Sequence, residues 1–290
     1  MVSTVRYERT LVGGLDIHYA VAGEGPPIIF LHGLGASSIT WQDNIGPLSQ
    51  DFTVYAPDIP GHGDSVKIGV KYTTEAGIDL IFGFMDAVGI QSAALCGSSM
   101  GGLIALLGAL HTPERVSHLV LINSAGFGRE VAGYLRVMSL PFLGELLEGP
   151  THRSARAMMK LVFGPRREYP EALFQELVRT RSLPGGREAV LKSLREGVDI
   201  FGMKRRYRLL HRLRDLRMPL MIVWGALDPV FPASHAHAAA EAAPGSRLLY
   251  FPDVGHWPHM EEAERFNAEV TAFLKGEPSP SPTGGDEHEL

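Results

Sequence analysis

Short apolar runs and helix-like segments alternate along most of this 290-residue chain, and this alternation restricts its fold more than any other feature. A strand buried on both faces reads as a continuous apolar run, and the chain must cross a face of the sheet before the next parallel strand begins. The pattern therefore predicts an α/β protein with helices on both faces of its sheet. The predicted strands are 5–12, 15–22, 27–31, 53–56, 93–96, 116–122, 220–224 and 248–251, and the predicted helices are 39–48, 75–88, 100–111, 233–243 and 261–274.

The alternation is interrupted once, between Asn123 and Arg217, where Leu, Arg and Glu recur at helical spacing. We interpret this stretch as a helical cap, residues 128–217, inserted into a core formed by 1–127 and 218–275. The stretch from 129 to 217 holds 19 Lys and Arg against 10 Asp and Glu, a net charge of +9, whereas the rest of the chain carries −14. Residues 276–290 are rich in Pro and Gly, which is typical of a disordered tail.

Composition and charge limit the classes of partner. Hydrophobic residues make up 45% of the chain and the net charge is −5, so nothing favours nucleic acid as a partner. No apolar run reaches the ~20 residues that a membrane-spanning helix needs, and the first residues lack the apolar core of a signal peptide. We expect a cytoplasmic protein without integral membrane association. A single cysteine, Cys96, excludes an intramolecular disulfide and a multi-cysteine metal site; the oligomeric state stays open.

One turn joins a predicted strand to a predicted helix and has the spacing Gly-x-Ser-x-Gly, from Gly97 to Gly101. In that setting the serine is held in strained backbone geometry, and the glycines keep neighbouring segments from colliding. Ser99 is therefore the candidate nucleophile.

A serine nucleophile needs a base to take its proton and an acid to orient that base. His256 follows the last predicted strand and is the candidate base. Asp228 follows the strand before it and is the candidate acid. The neighbouring strand end carries Asn123 instead of a carboxylate, and Asp253 lies too close to His256 in sequence to be the better choice.

Two backbone N–H groups are also needed, because negative charge develops on the substrate carbonyl oxygen. The N–H of Met100, directly after the candidate nucleophile, is one candidate. The second is the N–H of Leu34, within the glycine-rich turn His32-Gly33-Leu34-Gly35 that follows the third predicted strand.

Five motifs in chain order resemble those of α/β-hydrolase-fold enzymes, and the resemblance covers about residues 5 to 275. They are His32-Gly33-Leu34-Gly35, Asp58-Ile59-Pro60-Gly61-His62-Gly63-Asp64-Ser65, Gly97-Ser98-Ser99-Met100-Gly101-Gly102, Asp228 and Gly255-His256. The resemblance implies an eight-stranded, mostly parallel sheet with a helical lid inserted after the sixth strand. It also implies ester or related acyl hydrolysis through a covalent intermediate on Ser99, with no cofactor and no metal.

The residue types select among the activities of that fold. Serine at position 99 argues against epoxide hydrolases and dehalogenases, which use aspartate. Trp257 and Met100 with its two following glycines resemble C–C hydrolases of dienoate ring-fission products, where Arg179 or Arg181 would hold a substrate carboxylate. Ser98, where that group usually carries Asn, and a short oxyanion loop favour ester cleavage.

We therefore predict a serine carboxylesterase, or a lipase-like enzyme, that acts on short to medium acyl esters. The C–C hydrolase is the main alternative. Amidases, perhydrolases and a catalytically silent protein that binds a small ligand are further alternatives.

Apart from His256, the histidines are not predicted to react. We interpret His62 as a residue of the turn after the fourth strand. His235 with His237, and His256 with His259, lack the carboxylate or cysteine partners of a recognisable metal site, so surface positions are expected for them.

Overall fold

A computed structural model describes residues 4–148, 152–163 and 168–280. Its strands are β1 (Arg6–Val12), β2 (Leu15–Ala22), β3 (Pro27–Leu31), β4 (Thr53–Pro57), β5 (Ala93–Ser98), β6 (Val116–Ile122), β7 (Val198–Asp199), β8 (Gly202–Met203), β9 (Leu220–Gly225) and β10 (Arg247–Phe251). Eight of them form one sheet in the order β1-β2-β4-β3-β5-β6-β9-β10, and β7 pairs with β8 separately. In the large sheet β2 is antiparallel to β1 and β4, and every other pair is parallel. The predicted mostly parallel sheet with an opening hairpin is confirmed.

Helices cover both faces of this sheet. They are α1 (Gln42–Leu48), α2 (Thr74–Ala87), α3 (Met100–His111), α4 (Gly133–Met138), α5 (Leu143–Leu147), α6 (His152–Val162), α7 (Glu171–Ser182), α8 (Gly186–Gly197), α9 (Ser234–Ala242), α10 (Pro258–Glu261) and α11 (Ala263–Lys275). Within the described residues, none of these helices has the length and apolar character needed to cross a membrane.

The alternation of side chains along each strand divides the core into two layers. In β3, Ile28 and Phe30 pack with apolar residues of α1 and α11. Ile29 and Leu31 point the other way and pack with residues of α2, α3 and α9. Strands that are apolar on both faces are therefore buried between two helical layers, which explains why they read as continuous apolar runs.

A long insertion separates β6 from β9. Its described residues form α4 to α8 and the short pair β7–β8, which the sequence pattern does not predict because two residues show no alternation. Apolar side chains of α6 and α7 form a third cluster, which also buries Ala36 and Trp257 of the core. We call residues 128–217 the inserted segment; 149–151 and 164–167 lie outside the described residues, and its boundaries stay a prediction.

The last predicted helix is interrupted near its start. Glu262 has φ −131° and ψ 49°, so α10 ends at Glu261 and α11 begins at Ala263. The Glu261 carboxylate accepts hydrogen bonds from the Gly255 N–H at 3.0 and 3.1 Å. The bond from Glu261 to the loop before α10 thus accompanies a break in the helix at Glu262, which helical propensity does not predict.

The chain leaves α11 through Gly276, whose φ of 72° lies in the left-handed region that favours glycine. Beyond it, Ser279 Oγ donates to the carboxylate of Glu269, with distances of 2.7 and 2.8 Å to the two oxygens. Residues 281–290 of the predicted tail lie outside the described residues.

Candidate active site

Ser99 stands alone between β5 and α3 in an unusual backbone conformation, with φ 56° and ψ −116°. A positive φ is sterically costly for a residue with a Cβ atom, so the surrounding structure must hold it. The Ser99 N–H donates to Ile122 O at 3.0 Å, and Ser99 O accepts from the Ala125 N–H at 3.1 Å. The end of β6 therefore fixes both sides of the turn.

Close packing explains the glycines of this turn. A Cβ atom at Gly97 would lie 2.3 Å from Gly101 O, and one at Gly101 would lie 2.1 Å from Leu31 O. Both contacts are with backbone atoms, which no rotamer change relieves. The spacing Gly-x-Ser-x-Gly thus lets β3, β5 and α3 meet beneath Ser99.

The structure brings the candidate base and acid together, although they are 28 residues apart. His256 Nδ1 lies 2.8 Å from Asp228 Oδ2, and their side chains are 4% and 0% exposed. Asp228 Oδ1 accepts from the Val230 N–H at 2.7 Å. With the carboxylate accepting at Nδ1, the other ring nitrogen of His256 is left to take a proton. Ser99 and His256 line the same cavity.

Asn123, which stands at a strand end where a carboxylate is absent, is a partner of this pair. Its Nδ2 donates to Asp228 Oδ2 at 2.7 Å, and its Oδ1 accepts from the Gly225 N–H at 3.0 Å. Asn123 is fully buried and lies at the end of β6, beside the end of β9. The sequence could have predicted this contact, because neighbouring parallel strands bring their end residues together.

The backbone of His256 is held by the inserted segment. Its N–H donates to Val162 O of α6 at 2.8 Å. The next residue, Trp257, is buried in the third apolar cluster and meets the Phe163 ring edge-on, with centroids 5.6 Å apart. On the other side, the Glu261 carboxylate accepts a hydrogen bond from the N–H of Gly255, the residue before His256. The loop of the candidate base is therefore tied to both parts of the molecule.

The candidate oxyanion loop, from His32 to Gly35, lies against Ser99. A Cβ atom at Gly33 would be 3.8 Å from Ser99 Oγ, so the backbone of this loop approaches the hydroxyl closely. Among the described residues, neither the Leu34 N–H nor the Met100 N–H donates to a hydrogen-bond acceptor. Both candidate donors are thus left for a ligand, and both residues line a cavity with Ser99.

His32 holds this loop in place. Its Nε2 accepts from the Ile59 N–H at 2.9 Å, so Nδ1 carries the proton and donates to Gly33 O at 2.8 Å. Burial lowers the pKa of His32, which keeps the imidazole neutral and this pattern intact.

Asp58 braces the same region from the turn after β4. Its Oδ1 accepts from the Ser38 N–H at 2.6 Å, and its Oδ2 accepts from the Asp64 N–H at 2.9 Å and contacts His18 Nδ1 at 2.8 Å. Burial raises the pKa of this carboxyl, but its hydrogen bonds lower the pKa by a larger amount. The pKa of Asp58 therefore lies below its ordinary value. His18, Asp58 and Asp64 have potential metal-ligand atoms within 4.8 Å of one another, but the Asp58 oxygens already serve the backbone.

Two cavities meet at Ser99 and Leu34. Their volumes, about 510 and about 520 Å³, are typical of small-molecule sites. The first is lined mainly by apolar side chains, among them Ile59, Leu80, Leu103, Ile104, Met203 and Phe231. The second is also lined mainly by apolar side chains, and its lining includes His256 and, from the inserted segment, Tyr134, Met138, Glu148, Met158 and Arg181.

The two candidate arginines differ in position. Arg179 is half exposed and bonds Asp64 and Glu176 at 2.6 Å, away from the cavities. Arg181 lines the second cavity, where its guanidinium is paired with Glu148 and donates to Met158 Sδ at 2.9 Å. Only Arg181 is therefore placed to meet a substrate.

Two histidines expected at the surface are buried. His235 is 6% exposed, and its Nε2 contacts Glu130 at 3.0 Å. His259 is 1% exposed, and its ring centroid lies 4.4 Å from that of Trp41. The expectation was wrong for both, because tertiary packing and not the local sequence determines their exposure. His62 is also buried and belongs to the turn after β4, as predicted.

Fold and site together define the class: an α/β protein of the hydrolase type, with a serine on a strained strand-to-helix turn and a histidine–aspartate pair at later strand ends. A profile described as the alpha/beta hydrolase family matches residues 28–269. The chain belongs to this family.

Relatives within the family carry different activities. The chain is 33% identical to a dihydrolipoyllysine-residue acetyltransferase component of the acetoin cleaving system of Cupriavidus necator, over 93% of this chain and 69% of the relative. It is 29% identical to a 2-hydroxy-6-oxo-6-phenylhexa-2,4-dienoate hydrolase of Comamonas testosteroni, over 89% and 91%. A solved meta-cleavage product hydrolase from Pseudomonas fluorescens IP01 has a TM-score of 0.80 at 26% identity, covering 93% of this chain and 97% of that one.

Proposed function

We propose that this protein is a serine hydrolase that cleaves a carboxylic ester through an acyl-enzyme, with Ser99 as nucleophile, His256 as base and Asp228 as orienting acid. One observation carries the proposal. The hydrogen-bonded His256–Asp228 pair lies on the wall of a cavity that Ser99 also lines, and next to Ser99 the N–H groups of Leu34 and Met100 have no acceptor among the described residues.

Acylation follows from this arrangement. Ser99 Oγ attacks the ester carbonyl carbon while His256 Nε2 takes its proton. Negative charge moves to the carbonyl oxygen, where the N–H groups of Leu34 and Met100 stabilise it. The bond to the alcohol oxygen then breaks, and His256 returns the proton to that oxygen. Asp228 stabilises the imidazolium that forms between the two transfers.

Deacylation repeats the steps with water as the nucleophile. His256 takes a proton from water as its oxygen attacks the acyl carbon, and then returns the proton to Ser99 Oγ. The carboxylic acid leaves and the serine is restored. Every charge that develops has a compensating group on this chain.

A C–C hydrolase acting on dienoate ring-fission products is the second candidate. The identity to the Comamonas testosteroni hydrolase favours it, as does an arginine in the second cavity. The pairing of Arg181 with Glu148 argues against it, because a substrate carboxylate would meet a guanidinium whose charge is already compensated.

Covalent labelling with a fluorophosphonate tests the proposal, together with turnover of p-nitrophenyl esters and of a dienoate ring-fission product. Ser99→Ala is expected to abolish labelling and ester turnover. Ser98→Ala is the matched control, because Ser98 is the buried neighbour whose Oγ has no partner among the described residues. Labelling that survives Ser99→Ala overturns the mechanism, and no labelling of the wild type favours a ligand-binding protein. Dienoate cleavage without ester turnover establishes the second candidate instead.

A further inference from the structure

The two cavities can be matched to the two halves of an ester, its acyl chain and its alcohol. The leaving alcohol oxygen must receive its proton from His256, so the alcohol has to lie on the His256 side of Ser99. Within the described residues, His256 lines the second cavity and not the first. This position of His256 would place the alcohol in the second cavity and the acyl chain in the first.

The second cavity carries a buried ion pair. The side chains of Arg181 and Glu148 are 10% and 7% exposed and are bonded to each other. A Cβ atom at Gly35 would lie 3.6 Å from Arg181 Cζ, so the guanidinium lies over the oxyanion loop. The pair thus borders the space that the alcohol would fill.

A third polar side chain lies beside this pair. Tyr134 lines the same cavity, and burial together with the negative charge of Asp228 raises the pKa of its phenol. Its hydroxyl therefore stays protonated over the working pH range. Within a mainly apolar cavity wall, these three side chains offer N–H and O–H donors together with a carboxylate acceptor.

This combination suits an alcohol that both donates and accepts hydrogen bonds without carrying charge. A carboxylate would have to displace Glu148 from Arg181 or lie beside it, and two like charges in a buried site repel strongly. A hydroxyl accepts from the guanidinium and donates to the carboxylate while the pair stays intact.

We propose that the Arg181–Glu148 pair is a specificity determinant, and that the substrate is a monoester of a short polyol, such as glycerol, with an apolar acyl chain. The inference rests on the proposed ester hydrolysis and names its substrate class. Glu148 excludes anionic alcohols, and Arg181 and Glu148 together bind the free hydroxyls.

Three hexanoate esters that differ only in the alcohol test this inference: 1-hexanoylglycerol, 3-O-hexanoylglycerate and propyl hexanoate. The assay is acid release, with kcat/KM for each. The wild type is expected to prefer the glycerol ester to the glycerate ester by about tenfold or more, because a buried like charge opposes the glycerate. Glu148→Gln is expected to shift that ratio toward glycerate by about tenfold or more, since it leaves the guanidinium charge uncompensated.

Glu145→Gln is the matched control, because Glu145 lies on the same segment but pairs with Arg195, and neither residue lines either of the two cavities. Its glycerol-to-glycerate ratio is expected to equal that of the wild type. A wild type that prefers the glycerate ester to the glycerol ester overturns the inference. This comparison needs no variant, so the inference can be tested even if Glu148→Gln does not fold. Ser99-dependent hydrolysis of propyl hexanoate with equal rates on all three esters refutes the inference and leaves the proposed function standing. The absence of both labelling and hydrolysis refutes the proposed function itself.

Discussion

We expect His259 to make the stability of this protein sensitive to acid. Its ring lies tilted against that of Trp41 and is 1% exposed, and neither ring nitrogen has a hydrogen-bond partner among the described residues. Burial, and then the nearby charge of His256, lower its pKa to about 3. The folded protein therefore keeps this imidazole neutral under conditions where an unfolded chain protonates it.

The size of the effect follows from proton linkage. A histidine in the unfolded chain has a pKa of about 6.5. Between about pH 6.5 and about pH 3 the unfolded state holds one more proton at this position, so the free energy of unfolding falls by about 1.36 kcal/mol for each pH unit of acidification. At pH 4.5 the loss is about 2.7 kcal/mol, and above pH 6.5 this histidine contributes none. His62, whose pKa is also lowered to about 3 by burial, adds a similar slope.

The variant His259→Phe keeps an aromatic ring against Trp41 and removes the titrating group. We expect its free energy of unfolding, measured by urea denaturation from pH 4.5 to 7.5, to fall less steeply below pH 6.5 than that of the wild type, by about 1.36 kcal/mol per pH unit. His237→Phe is the control, because His237 is exposed on α9 and should leave the slope unchanged. Equal slopes for His259→Phe and the wild type would refute the reasoning.

Three further changes have expected outcomes. Asp228→Asn should keep the fold by circular dichroism but lower ester turnover by about 10⁴-fold, and near-normal turnover would place the acid elsewhere. Asn123→Ala removes a 2.7 Å hydrogen bond to a buried carboxylate and should lower the free energy of unfolding by about 1.5–3 kcal/mol in urea denaturation; an unchanged value contradicts that bond. Lengthening the acyl chain by one CH₂ should raise kcat/KM about fourfold until the first cavity is full, and a flat series contradicts the assignment of the acyl chain to that cavity.

The sequence predicted the sheet well because its inner strands, such as β3, β5 and β9, are buried on both faces. A strand such as β3 is apolar at every position, and its limits coincide with the predicted ones. The end of β5 was predicted two residues early, because Gly97 and Ser98 have no strand signature and are held by pairing with Leu121 and Ile122 of β6. Pairing between strands distant in sequence is invisible to a local pattern.

The residues of the candidate site also fall into those that a local sequence pattern predicts and those that it does not. Ser99, Asp228 and His256 were located by what precedes them, since each follows an apolar strand, and the structure places the last two within hydrogen-bond distance. Arg181 and Glu148 are bonded to each other but lie 33 residues apart in the inserted segment, so no local sequence pattern predicts their contact. The burial of His259 depends on a ring from the other end of the chain and was beyond prediction for the same reason.

The bond from the His256 N–H to Val162 O makes the inserted segment more than an exchangeable module. In an evolutionary or engineered exchange of this segment between homologues, a replacement helix must present a carbonyl at the same point and an apolar pocket for Trp257. A graft that matches only the cavity lining would leave the loop of His256 unsupported. Chimeras of this protein should therefore be cut so that α6 and the loop from Gly255 to Trp257 come from the same parent.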